Sequence, residues 1–327
     1  ERPPAEYRFS GQTMGTTYNI VVVDHTRVLD EDVLEAAVTE TLVDVNAAYS
    51  NWDPDSEVSR LNRNASSEPI PISKGLAEMV TLANYIHEST GGKLDLTLKP
   101  VIELWGFGPS GSVTRQPGQN ALDTALQSVG QRKVIMLSQD ETMLTKRSPE
   151  VSIDLSSIAK GYGIDAIVAA LIEEGAEDFL VEIGGDLFVS GQTIRETDWR
   201  VGVEKPIAGV RALETAVEFS GKGMATSGDY RNYFEDAGVR YSHIIDPQTG
   251  RPITHKTASV TVIAGTAVSA DAWATALLAL GVDDGLELAN DENLAVLFIV
   301  RTGNSDELTF NSISNTLFNQ YQPSSKG

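Results

Sequence analysis

Five apolar positions, Leu34, Val38, Leu42, Val45 and Tyr49, recur at steps of 4, 4, 3 and 4, which places them on one face of a helix. Asp30 stands where the N-cap of that helix belongs. Residues 73–89 repeat the pattern with Leu76, Val80, Ala83 and Ile86, opening on Ser73 and stopping at Gly91-Gly92. Further helices are expected over 121–129, 158–174 and Ala267–Leu280, each followed by a glycine (Gly130, Gly175, Gly281). β-Branched and apolar runs at 16–23, 151–155, 199–203, 215–219, 259–263 and 294–300 read as strands. Segments 134–137 and 142–144 form a hairpin pair, and 179–190 (FLVEIGGDLFVS) reads as a strand interrupted by Gly184-Gly185. Strands outnumber helices without strict alternation. This favours an α+β fold of mixed or antiparallel sheets with flanking helices over a doubly wound one. The stretch 106–119 is the best linker or surface loop.

Charge narrows the function classes. The chain has 327 residues, 25 Lys+Arg against 46 Asp+Glu, and a formal charge of −21. Such a surface repels phosphate backbones, so no nucleic-acid partner is expected. The longest clean apolar runs, 166–172 and 295–300, fall well short of the ~18 residues of a membrane span. With no Cys there is neither a disulfide nor a thiolate metal site. The polar start Glu1-Arg2-Pro3-Pro4 is what a processed export product shows, an arbitrary trimming of the chain being the other reading.

Four segments suit chemistry. Asp271 and Thr275 lie one helical turn apart, a hard-oxygen pair fit for Mg²⁺ or Ca²⁺. The bland alternative is an Asp serving its own helix dipole and a Thr bonding its own backbone. Asp154–Tyr162 (DLSSIAKGY) ends an expected strand and starts a helix with Lys160 in the first turn, either an anion cradle or an ordinary Ser-capped helix. Gly184-Gly185 marks a bulge or a close backbone approach, to a ligand or to another strand. His243, three residues before Asp246, suits a general base with an orienting carboxylate, although the turn Asp246-Pro247-Gln248-Thr249-Gly250 needs no function.

Taken together, these segments resemble the FAD:protein FMN transferases, the ApbE-type flavin transferases. The resemblance runs from Met14 to Gly281. It rests on MGTTY at Met14, SNWDPDSEVSRLN at Ser50, LDLT at Leu94 leading to WGFG at Trp105, DLSSIAKGY at Asp154, IGGDLFVSG at Ile183, TSGDY at Thr226, HIIDPQTG at His243, and ADAWAT ending at Thr275. It implies one catalytic domain over 1–327, ApbE-like and T-fold-related. Two lobes (about 1–110 with a C-terminal part, and about 120–260) would hold a cofactor cleft between them.

The implied reaction is Mg²⁺-dependent. A Ser or Thr hydroxyl of a partner protein attacks the flavin-side phosphorus of FAD, FMN becomes phosphoester-linked, and AMP leaves. By resemblance Asp271, Thr275 and the carbonyl of Ala159 hold the metal, and Lys160 offsets pyrophosphate charge. Met14 and Trp52 contact the ring systems; family members often carry Tyr at the latter position. Lys93, Leu94, Asp95, Ser156, Tyr162 and Ile245 match positions near the cofactor, Gly184 and Gly185 let backbone approach it, and His243 with Asp246 handles the acceptor's proton. Asp271 is expected to be an exposed cleft ligand that contributes little to the core.

Implied acceptors are subunits of ion-pumping NADH:quinone or ferredoxin oxidoreductases, or the membrane flavoprotein linked to nitrous-oxide reduction. The implied location is the periplasm, with the full-length form an inner-membrane lipoprotein. Two rival functions use the same residues: an FAD pyrophosphatase giving FMN and AMP, and a flavin carrier without turnover.

Overall fold

The computed structural model describes residues 3–108, 116–230, 233–236, 239–303 and 309–323. Of the 106–119 loop expected from the sequence, 109–115 lie outside the described residues. The chain opens with β1 (Ala5–Thr13), β2 (Thr16–Asp24), α1 (Glu31–Tyr49), α2 (Glu57–Arg63), β3 (Ile70–Pro71) and α3 (Lys74–Ser89). Short helices α4 (Lys99–Leu104), α5 (Gln119–Leu126) and α6 (Gln131–Val134) lead through β4 (Ile135–Leu137) and β5 (Met143–Lys146) to α7 (Ala159–Glu173). Next come β6 (Asp178–Ile183), β7 (Asp186–Ser190), β8 (Trp199–Glu204), β9 (Leu213–Phe219) and β10 (Lys222–Gly228). Two small hairpins follow, β11 (Tyr233–Asp236) with β12 (Val239–Ser242) and β13 (Ile245–Asp246) with β14 (Arg251–Pro252). The chain continues through β15 (Thr257–Ala264), α8 (Ala267–Leu280), α9 (Val282–Asp291), β16 (Ala295–Arg301), β17 (Phe310–Ser314) and α10 (Thr316–Asn319).

One eight-stranded sheet organises the molecule, in the order β1-β2-β6-β7-β10-β15-β16-β17. Every neighbouring pair is antiparallel and the order follows the chain, so the α+β reading holds. The sheet takes strands from both stretches that the sequence assigned to separate lobes.

Both faces of the sheet are covered, which explains why strands such as β15 and β16 read as nearly unbroken apolar runs. Side chains alternate between faces. In β2, Ile20 and Val22 pack with Leu34, Val38 and Leu42 of α1 and Ile164, Ile167 and Leu171 of α7. Val23 packs on the other side with Trp199, Val217, Phe219 and Phe318. In β16, Val296 and Phe298 join the α8 side while Ala295, Leu297 and Ile299 join the opposite one.

The capped helices start where their sequences predict. Asp30 accepts from the amides of Asp32 and Val33, and Ser73 accepts from Leu76 N. Two expectations need correction. Residues 151–155 are extended but belong to no sheet. Their alternation is real, since Val151, Ile153 and Leu155 are all buried. At Ile153 the backbone partner is a side chain, the Asn62 amide donating to Ile153 O (2.8 Å) and accepting from Ile153 N (2.7 Å) as a neighbouring strand would, while Asp154 N makes a single backbone bond to Leu96 O (2.7 Å). Gly184-Gly185 interrupts no strand. With φ of +60° and +96° the pair forms the two-residue turn of the β6–β7 hairpin, Ile183 facing Asp186, a type I′ geometry that glycine meets without strain.

Helices α7 and α8 pack backbone to backbone. A Cβ on Gly161 would lie 2.4 Å from the carbonyl oxygen of Ala267 and 2.6 Å from Val268 Cα. Gly161→Ala is therefore expected to cost roughly 1–3 kcal/mol as the helices are forced apart. A thermal midpoint equal to the wild type's in scanning calorimetry would show that the crossing has slack.

Candidate active site

Where α7 meets α8, three charged groups converge. Lys160 Nζ contacts the Asp186 carboxylate and lies 3.2 Å from Asp271 Oδ1. Both carboxylates are almost fully buried, at 2% exposure each. Asp271 Oδ2 accepts from Gly161 N (2.9 Å), and Asp186 Oδ1 from Thr226 N (3.1 Å). Burial opposes the ammonium of Lys160, but the two carboxylates outweigh it and hold the group charged well above its usual range. Burial pushes the Asp271 carboxyl up to about 6, Lys160 pulling it back and Asp186 adding to the rise. Two carboxylates against one ammonium leave the cluster short of positive charge.

The N-cap of α7 is Ile158, which makes no side-chain capping bond, so the ordinary Ser-cap reading is wrong; Gly161 N is capped by Asp271 from another helix. The Thr275 hydroxyl lies 3.1 Å from Ser227 Oγ on β10. Asp271 is not the exposed cleft ligand expected, because α8 packs it against α7.

A cavity of about 260 Å³ opens at this cluster. Of the residues singled out in the sequence, Lys93, Leu94, Asp95, Ser156, Lys160, His243, Ile245, Asp271 and Thr275 line it. His243 sits with its ring edge-on to Phe107, centroids 6.2 Å apart. The turn after it is pinned by the indole of Trp105, which donates to Gly250 O (2.7 Å). Asp246 holds Lys93 Nζ (2.8 Å) through one oxygen and Gln248 N (3.0 Å) through the other. The Asp95 carboxylate is taken up by Thr97 and by Gln131 N, so it shapes its own loop.

Seven predicted residues are absent from the cavity lining: Met14, Trp52, Ala159, Tyr162, Gly184, Gly185 and Asp246. Met14 and Gly15 form a second two-residue turn, at φ +50° and +75°, between β1 and β2. The Met14 sulfur lies 3.5 Å from where a Gly163 Cβ would be, tucked against α7, and the exposed Trp52 ring reaches over Gly15. Pairing of β2 with β6 brings the Gly184-Gly185 turn beside this one, and a Cβ on Gly184 would lie 3.5 Å from Lys160 Cδ. Tyr162 turns inward, edge-on to Tyr49 at 5.1 Å. Ala159 is buried at the start of α7.

The donors fit a hard divalent cation. Carboxylate and hydroxyl oxygens meet in a charge-deficient cluster without Cys or His, and the ammonium of Lys160 already occupies a cation's place between the carboxylates.

Residues 14–298 match the model of the ApbE family. The chain belongs to the ApbE family. The FAD:protein FMN transferase of Haemophilus influenzae is 42% identical over 305 residues, covering 90% of this chain and 86% of that protein. That of Vibrio cholerae is 39% identical, over 92% of this chain and 90% of its own. Among solved structures, the flavin transferase ApbE from Vibrio cholerae superposes with a TM-score of 0.88 at 36% identity, spanning 98% of this chain and 100% of that one. Within the ApbE framework the sequence reading missed Asp186, Thr226 and Ser227. Each stood inside a motif already quoted (IGGDLFVSG, TSGDY), but only the tertiary packing places Asp186 on Lys160, Thr226 N on Asp186 and the Ser227 hydroxyl on Thr275.

Proposed function

We propose that this chain transfers FMN from FAD to a Ser or Thr hydroxyl of a partner protein and releases AMP. The observation that carries this reading is the cavity where Lys160, Asp271, Thr275 and His243 converge. FAD brings a pyrophosphate to a chain of charge −21, so binding requires concentrated positive charge at that spot. Lys160, kept charged by Asp186 and Asp271, supplies part of it, and because those two carboxylates outweigh its ammonium the rest would fall to a bound divalent cation. Ser156 and Ser157 line the same wall and offer hydrogen bonds to phosphate oxygens. The acceptor oxygen forms its bond to the flavin-side phosphorus as the bond to the AMP phosphate breaks. His243 takes the hydroxyl proton. Lys93, fixed by Asp246, adds a second cation at the cavity wall. The Met14-Gly15 turn with Trp52 offers a thioether and an aromatic face for the flavin rings.

Asp271, Thr275 and the Ala159 carbonyl are the residues that would hold Mg²⁺. When bound, it neutralises charge on the phosphates and on the leaving AMP. The acceptors we assign are exported flavoproteins: subunits of ion-pumping NADH:quinone or ferredoxin oxidoreductases, or the nitrous-oxide-linked membrane flavoprotein. The location we assign is the periplasm, with a lipid anchor on the precursor.

The test is mass spectrometry of a candidate acceptor domain after incubation with this protein, FAD and Mg²⁺. Addition of one FMN, with AMP released in equal amount and neither seen with excess EDTA, is the expected result. Rapid AMP release without any acceptor would replace transfer by hydrolysis, and stoichiometric FAD binding without AMP would leave only a carrier.

A further inference from the structure

Helix α8 already has a cap of its own, Thr266, whose hydroxyl accepts from Ser269 N (3.3 Å). Yet a second side chain is committed to the same helix end. Asp165, in the middle of α7, accepts from Ala267 N (2.9 Å) through one oxygen and from Val268 N (2.8 Å) through the other. In return Asp271 of α8 accepts from Gly161 N of α7. The two helices thus exchange caps, each satisfying the other's free amides with a carboxylate.

The exchange takes place at the backbone contact of Gly161 with Ala267, and Gly223 of β10 presses on Ala267 from the other side with no room for a Cβ. Ala267, Asp271 and Thr275 stand at i, i+4 and i+8, on one face of α8. The first meets the Asp165 cap, and the other two reach the cavity. Any slip or tilt of α8 on α7 is therefore passed directly to the oxygens beside Lys160.

We propose that Asp165 is a positioning residue, one that fixes the register of α8 on α7 and so sets where Asp271 and Thr275 stand relative to Ala159 and Lys160. The proposal rests on the assignment of those residues to the phosphate and cation site. Holding a carboxylate at this half-buried position has a cost, because desolvation pushes the Asp165 carboxyl up to about 6 against the pull of the two amides. A neutral side chain would start the helix at less cost. What the carboxylate adds is two bonds at a fixed spacing, and displacement of catalytic groups by about 1 Å can cost 10²-fold in rate.

The test compares Asp165→Asn with Thr266→Ala, using the full chain. Asn offers one acceptor for two amides, whereas Thr266→Ala removes a cap bond from the same helix end without touching Asp165. Both variants are expected to lower the thermal midpoint. Asp165→Asn alone should raise the Mg²⁺ concentration for half-maximal transfer about tenfold, lower kcat about tenfold, and weaken the Mg²⁺-induced rise in thermal midpoint measured without FAD. FAD affinity without metal should stay within about twofold, since a positioning residue touches neither flavin nor adenine.

An Asp165→Asn protein that melts early but keeps the wild-type kcat and Mg²⁺ midpoint would overturn the proposal, and so would equal losses in Thr266→Ala. If Asp165→Asn does not fold, Asp165→Glu keeps both acceptors but pushes the helices apart, and the same shifts are required of it. If the wild type itself turns over FAD without any response to Mg²⁺, the metal assignment falls separately. Asp165 is then judged on kcat at saturating FAD, where a wild-type value rejects it.

Discussion

Replacing Asp271 with Asn is expected to lower FMN transfer from FAD by at least about 10²-fold, the scale on which losing one electrostatic contact to a transferring group is felt. The carboxylate does two things at once. It balances Lys160 and offers the charged oxygen of the proposed cation site, and it caps Gly161 N of the neighbouring helix. Asn keeps the volume and one acceptor oxygen but removes the charge. Asp271→Ala also orphans a buried amide, which costs roughly 1–3 kcal/mol. The Asn variant is thus the cleaner probe, with the folded fraction checked by circular dichroism. FMN adduct and AMP should both be measured across a Mg²⁺ titration. Wild-type turnover at millimolar Mg²⁺ would remove Asp271 from the site.

His243→Ala is expected to slow transfer by about 10²–10⁴-fold while leaving FAD affinity little changed. The side chain lines the cavity, and its ring is steadied by the edge of Phe107. The loop behind it is held at two points, by Trp105 on Gly250 and by the Lys93–Asp246 pair. Asp246 therefore steadies the loop and Lys93. Partial recovery of rate with added imidazole would support proton transfer as the missing function. A variant that no longer binds FAD would instead make His243 a ligand contact.

The amphipathic helices were legible because caps and periodicity agree: Asp30 and Ser73 start α1 and α3, and Gly281 ends α8 where the apolar pattern stops. Strand β1 was not, since only Ala5, Phe9 and Thr13 of its nine residues are buried and its pairing with β2 defines it. The false strand at 151–155 shows the converse. Alternating burial produced a strand signal, but the sequence cannot show that an asparagine side chain takes the partner's place. At the site, motifs revealed which residues matter locally, including Lys160, Asp271 and His243. They could not reveal Asp186 as the third charge of the cluster, because that contact depends on how α7 packs against the start of β7.

The order of strands in the sheet has a consequence for how the protein is made. β1 and β2 leave the ribosome first, yet Tyr18 must wait for Ile183 before the open side of β2 finds its neighbour. Until β6 has been made the growing chain therefore carries an unmatched row of peptide groups along β2, the kind of edge that recruits aggregation partners or holding chaperones. Lys160 emerges before either Asp186 or Asp271, so a polypeptide cut short ahead of α8 would keep Asp186 but leave its ammonium without Asp271 and without the α8 wall of the pocket.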